Sequence, residues 1–271
     1  MRALAVMTAV FVLMEPHNGV LRAEDASMTT MRFIVVKPAE AERPQSKPYP
    51  AITVTPPAAY TDPGFDTFRA QIAAVAKRQI YAELAELVTP QGFFWDRDFA
   101  GEFLPRLPAV DNLAAALRLE GNNGAGWDRL AGFASESSAA PLPGRPGIVC
   151  SPAEATFDDI AFARLLDETA SAPEDWAYPV AESTPVYAEP DGEARVIEVM
   201  PRVVVRRLDR ESARSIAAAD SRTDGWRQVA TPAGRIGYVQ AHALRPLAPR
   251  RLCFGRDVFG RWHIAGYVGG E

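Results

Sequence analysis

Soft-metal ligands are scarce. The 271 residues include only two cysteines and three histidines, which leaves little from which to build a soft-metal site. A basic excess is missing as well. The formal net charge is -5, whereas a nucleic-acid binder normally presents a basic face. No apolar run reaches the ~18 residues needed to cross a bilayer, which leaves no room for a multi-span membrane protein. The chain has no Gly-x-Ser-x-Gly elbow for a serine nucleophile. Its glycine-rich stretch, Gly121 and Gly124 to Gly126, has no Gly-Lys-Ser/Thr ending and no preceding apolar strand, so it does not read as a phosphate loop.

Against these absences, 48% of the residues are hydrophobic and 23% charged, a balance that supports a folded core. The length allows one large domain or two modest ones. Arg2 followed by the apolar run 3–14, interrupted only by Thr8 and ended by Glu15-Pro16, reads as a secretory signal over residues 1–26. The alternative is a buried helix or strand of a cytosolic fold. Residues 27–60 read as a proline-rich tether, carrying Pro38, Pro44, Pro48, Pro50, Pro56 and Pro57. Proline fixes φ and lacks a backbone donor, so no regular helix forms there. Tyr49, Ile52 and Val54 could lay the tether on the body, and residues 33–36 could form a short strand.

Residues 61–176 read as a helical domain. Asp62-Pro63 suits a helix start, and Phe65, Phe68, Ile72, Val75, Ala76, Ile80, Leu84, Leu87 and Val88 form one apolar stripe. The spacing predicts a single helix to about Thr89-Pro90. Further helices are expected over 111–119, from Gly126-Trp127 to Phe133, and after Ser151-Pro152-Ala153-Glu154, where Ser151 would cap. Phe157, Ile160, Ala161, Leu165 and Leu166 would form the buried side of that last helix. Between the first two lies an aromatic and acidic cluster, Phe93, Phe94, Trp95, Asp96, Asp98 and Phe99. It is either a binding platform or packed core with aspartates bonded to backbone amides.

After Trp176 the pattern turns short and alternating. Pro185-Val186-Tyr187, Val196-Ile197, Val203-Val204-Val205, Gly225-Trp226-Arg227-Gln228-Val229 and Gly234-x-x-Gly237-Tyr238-Val239, ending at Leu244, follow in order. A Gly-Trp-x-x-Val arm followed by Gly-x-x-Gly-aromatic-Val resembles the bacterial SH3-like domain family. The resemblance covers roughly residues 185–247. It implies a small β-barrel over 184–248, a roll of short strands around Trp226, of a kind that often binds cell-wall peptide or glycan or docks on a neighbouring domain. Ala188-Glu189-Pro190 stands where the family usually has Arg-Ser-Gly, Pro201-Arg202 replaces a common glycine, and the loop 209–224 is long. Residues 249–271 read as a terminal hairpin packing on the body. The expected fold class is therefore α+β: a helical N-terminal domain, then an SH3-like barrel, then a hairpin.

Cys150 and Cys253 form an even pair, which in an oxidising compartment points to one disulfide. The alternative is two separate buried thiols. Catalysis by either cysteine with His242 or His263 has the residue types but no surrounding catalytic domain. The candidate binding residues are Trp95, Asp96 and Asp98 in the helical part and Tyr187, Trp226 and Tyr238 in the strand-rich part. No catalytic residue, cofactor or metal is assigned. The expectation is a non-enzymatic periplasmic or secreted envelope protein. It would bind peptidoglycan or an envelope protein but no nucleic acid, and would have no membrane span once the signal is removed. The competing reading is a cell-wall polymer hydrolase using Asp96, Asp98 and Glu102, which requires carboxylates about 5–9 Å apart.

Overall fold

A computed structural model describes residues 45–98, 101–121, 124–208 and 225–269, which belong to one compact unit built on two sheets, each sheet with the elements packed on it forming a lobe. The signal segment, residues 33–36, Phe99 and the whole of the loop 209–224 lie outside the described residues.

Local chemistry builds the first lobe. The Asp62 carboxylate accepts the Phe65 N–H at 2.9 Å and Pro63 opens α1 (Pro63–Arg78), which buries Phe65, Phe68, Ile72, Val75 and Ala76. The single helix expected through Val88 is two. Gln79 adopts left-handed backbone (φ 56°) and Ile80 is extended before α2 (Tyr81–Leu87) begins. This break leaves Ile80 40% exposed, fully buries Leu84 and sets Val88 beside Ile264. β1 (Phe94–Asp96), α3 (Ala109–Leu117), α4 (Ala125–Ser135), β2 (Ala140–Pro141) and β3 (Val149–Ser151) follow.

Ser151 does not start a helix. It ends β3, and its hydroxyl donates to the Ser138 carbonyl at 2.8 Å, so it is not free to cap. α5 (Asp159–Thr169) begins later, with Asp158 accepting the Ala161 N–H at 2.9 Å. Its buried side is Phe162 and Leu165, while Ile160 faces outward at 68% exposure.

The second lobe holds β4 (Trp176–Pro179), β5 (Thr184–Tyr187), β6 (Val196–Met200), β7 (Val205–Arg207), β8 (Trp226–Ala230), β9 (Ile236–Gln240) and β10 (Leu244–Pro246). They form one sheet in the order β10-β4-β7-β8-β9-β5-β6. Each strand contributes one side chain to a shared core: Ala177, Val186, Met200, Val205, Val229, Val239 and Leu244. Trp226 is not at its centre; it is half-buried. Nor does the sheet close into the expected barrel among the described residues. β10 and β6 are its two ends, and β6 keeps an edge on which Val196 and Val199 are exposed.

The other face of β4 is spent elsewhere. Strand alternation turns Trp176 and Tyr178 away from Ala177, into a second core with Val204, Phe162, Leu165, Ile52 and Val54. From residue 45 on, the proline-rich stretch is a strap. It pairs singly at Thr53 with Val203, at Thr55 with Thr156 and at Ala59 with Ser138, and the Tyr49 hydroxyl donates to the Ala230 carbonyl at 2.7 Å.

The chain then returns to the first lobe. β11 (Arg251–Arg256) and β12 (Trp262–Val268) form the middle of a sheet ordered β1-β12-β11-β3-β2, with β1 parallel to β12 and the other pairs antiparallel. Leu252, Phe254, Ile264 and Tyr267 face the helices. Cys253 lies opposite Cys150 across the β11–β3 ladder, and the two form a disulfide. The protein is thus a mixed α+β fold of five α-helices and two sheets among the described residues. None of these helices is long and apolar enough to cross a membrane.

Candidate functional site

The aromatic and acidic cluster of the first lobe is mostly structure. Trp95 is buried, and its indole N–H donates to the Gly269 carbonyl at 2.6 Å, which fastens β1 to the end of β12. The Arg145 guanidinium lies 3.9 Å over the Phe94 ring and grips Asp96 through two bonds of 3.0 and 3.3 Å. Asp98 accepts the Phe103 N–H at 2.6 Å, and Glu102 faces Arg118 at 4.0 Å. Each carboxylate therefore has a different partner. The thiols of Cys150 and Cys253 are consumed by their disulfide, and His263 pairs with Asp257 at 3.3 Å. Among the described residues no group of three or more His, Cys, Asp or Glu could hold a metal ion.

The three aromatics proposed in the second lobe do come together. Tyr187 and Trp226 meet edge to face with centroids 5.2 Å apart, and Tyr187 is the cross-strand neighbour of Tyr238. Gln228 donates to the Tyr238 hydroxyl at 3.3 Å. All four side chains are half-buried, and strand alternation places them opposite the core residues Val186, Val229 and Val239. Gly237 makes this possible. A Cβ there would lie 2.6 Å from Val186 and 2.7 Å from the Tyr187 carbonyl, so only glycine lets β5 and β9 approach this closely.

A third feature escaped the sequence reading. Between the lobes lies a cavity of about 1030 Å³ whose lining includes Arg97, Arg129, Arg207, Arg245 and Arg250 against only Glu136 and Glu174. Tyr178 lies in its wall. Burial raises the Tyr178 phenol above its ordinary pKa, so it stays protonated. No spacing could have marked these arginines. They come from separate elements, and nearly all of the chain's 29 basic residues are arginine (only Lys37, Lys47 and Lys77 are lysine).

No family model, curated protein or solved structure matches this chain.

Proposed function

We propose that this is a non-enzymatic exported envelope protein whose second lobe is an SH3-like binding module, with the cell-wall polymer as its partner. The observation that carries the reading is the half-exposed aromatic face of Tyr187, Trp226 and Tyr238, set on a sheet with its own core. Flat rings with polar tips, flanked by an amide side chain, suit peptide or sugar surfaces that are partly apolar and partly hydrogen-bonding. The disulfide fits an oxidising compartment. The hydrolase reading loses support, because Asp96, Asp98 and Glu102 are each engaged by a separate partner and Trp95 is buried.

Sedimentation with purified insoluble peptidoglycan tests this. The protein should co-sediment, and Trp226→Ala should weaken retention about tenfold, the equivalent of one lost stacking contact of ~1.4 kcal/mol. Retention that is absent, or unchanged in a Trp226→Ala, Tyr238→Ala double variant, would refute the proposal.

A further inference from the structure

The apolar side chains most open to water lie side by side at the end of the β11–β12 hairpin. Val258 is 94% exposed and Phe259 80%, the highest values among the described large apolar residues. A lone exposed apolar side chain is ordinary. Two in succession at a turn, where polar residues are usual, are not. The exposure is built in. The Asp257 N–H donates to the Arg261 carbonyl and the Gly260 N–H to the Asp257 carbonyl, while the Asp257 carboxylate accepts the Phe259 and Arg261 N–H groups, each at 2.9 Å. Gly260 supplies the left-handed backbone (φ 78°) that closes the loop. A turn tied this closely holds Val258 and Phe259 away from the core.

Behind the tip is a charged collar. Arg261 bonds Asp257 at 2.9 Å, and Arg256 pairs with Asp62 while lying 4.6 Å over the Trp262 ring. Each of these two cations has its own carboxylate, so the collar offers no surplus charge. Behind it, Phe254 and Ile264 root the hairpin in the helical core. The area of the tip selects its occupant. Two side chains offer roughly 300 Å², of which an aromatic ring supplies about 150–250 Å². A stable protein interface takes about 800 Å² from each partner, which excludes a second copy joined tip to tip. A bilayer surface sets no such minimum, because lipid surrounds whatever apolar group enters it and binding scales with the apolar area buried. The collar limits entry to the headgroup boundary, since its paired charges resist losing water. We infer that Val258 and Phe259 insert into the outer layer of a lipid bilayer and dock the protein on a membrane surface by apolar burial, without selecting anionic headgroups.

This inference is independent of the wall-binding face. The chain's two cysteines are bonded to each other, so Val258→Cys introduces a single free thiol that can carry a nitrobenzoxadiazole fluorophore. The full chain, labelled there, is titrated with phosphatidylcholine vesicles prepared with and without phosphatidylglycerol. Emission should shift to the blue with both, be quenched by lipids spin-labelled high on the acyl chain, and keep its shift in molar salt. Adding Phe259→Ser should raise the lipid needed for half the shift about tenfold, with an unchanged melting curve. The same fluorophore on Glu193→Cys, in the exposed turn between β5 and β6, should not respond, which separates the tip from any lipid contact made by residues 1–26. Trp226→Ala should leave the response at position 258 unaltered. The inference is overturned if the fluorophore at 258 stays in water at saturating lipid, if position 193 responds equally, or if Phe259→Ser changes nothing. A response that requires phosphatidylglycerol or disappears in salt would place the binding on charge and overturn it as well. A response to raised protein concentration without lipid would assign the tip to a second copy instead.

Discussion

Gly266 and Asp96 show how differently two neighbouring residues matter. A Cβ on Gly266 would sit 2.4 Å from the Phe94 ring, which is itself buried beneath Arg145. Neither the ring nor strand β12 can retreat, so Gly266→Ala should cost roughly 1–3 kcal/mol, as overpacking does. Asp96 is 43% exposed in its pair with Arg145, and solvent screens such pairs to a median of ~0–1 kcal/mol. Asp96→Ala should therefore be the milder change. Urea unfolding of both variants ranks them, and the reverse order would mean that Arg145 and Asp96 hold the β1 region more tightly than its packing does.

The hairpin β11–β12 makes a prediction of its own at the scale of the element. Asp257 sits in its turn, accepting the Phe259 and Arg261 backbone N–H groups and the Arg261 guanidinium, each at 2.9 Å, with His263 beside it. Burial tends to raise its carboxyl, but these donors prevail and hold it at about 2 against an ordinary 3.8. A carboxyl depressed on folding contributes its stability above the unfolded value and loses it as pH falls through the folded one. The turn should thus loosen between pH ~4 and pH ~2. Asp257→Asn should lose this pH dependence. Amide hydrogen exchange at Phe259 and Arg261 reads it directly, and equal protection across that range in the unaltered protein would contradict it. The helical elements illustrate the limit of periodicity. The stripe from Phe65 to Val88 is real, but the break at Gln79 follows from Leu84 and Val88 packing against β12, which is remote in sequence.

The whole molecule depends on its last strands. β11 and β12 occupy the middle of the first sheet, so ending the chain after Leu247 would strip Leu252, Phe254, Ile264 and Tyr267 from the helical core. Such a chain should lose its near-ultraviolet circular dichroism and its cooperative melting. A cooperative transition of undiminished size would show that the helices pack without the sheet. The disulfide closes the same long circuit, joining residues 103 positions apart. In the chain-entropy account a loop of this length contributes about 4–5 kcal/mol. Replacing both Cys150 and Cys253 by serine should lower unfolding free energy by up to that amount, measured in urea without reductant. A change under about 1 kcal/mol would place the loop's entropy elsewhere, in residual structure of the unfolded chain.

Local rules by themselves determined much of this protein. Asp62-Pro63 marks a helix start because a carboxylate cap and a fixed φ act within one turn. The alternation after Trp176 marks strands because side-chain direction has a period of two, and Gly237 marks a close approach because no other residue lacks a Cβ. The pairing of Cys150 with Cys253 was open to reading from count and compartment. Tertiary structure alone decided the rest. The terminal hairpin enters the centre of the first sheet, Ser151 ends a strand instead of opening a helix, and Trp226 lies on the outer face while Trp176 is buried. The arginines of the interlobe cavity share a wall for the same reason. These outcomes depend on which distant surfaces bury one another, and packing free energy is collected between segments that no short window of sequence contains.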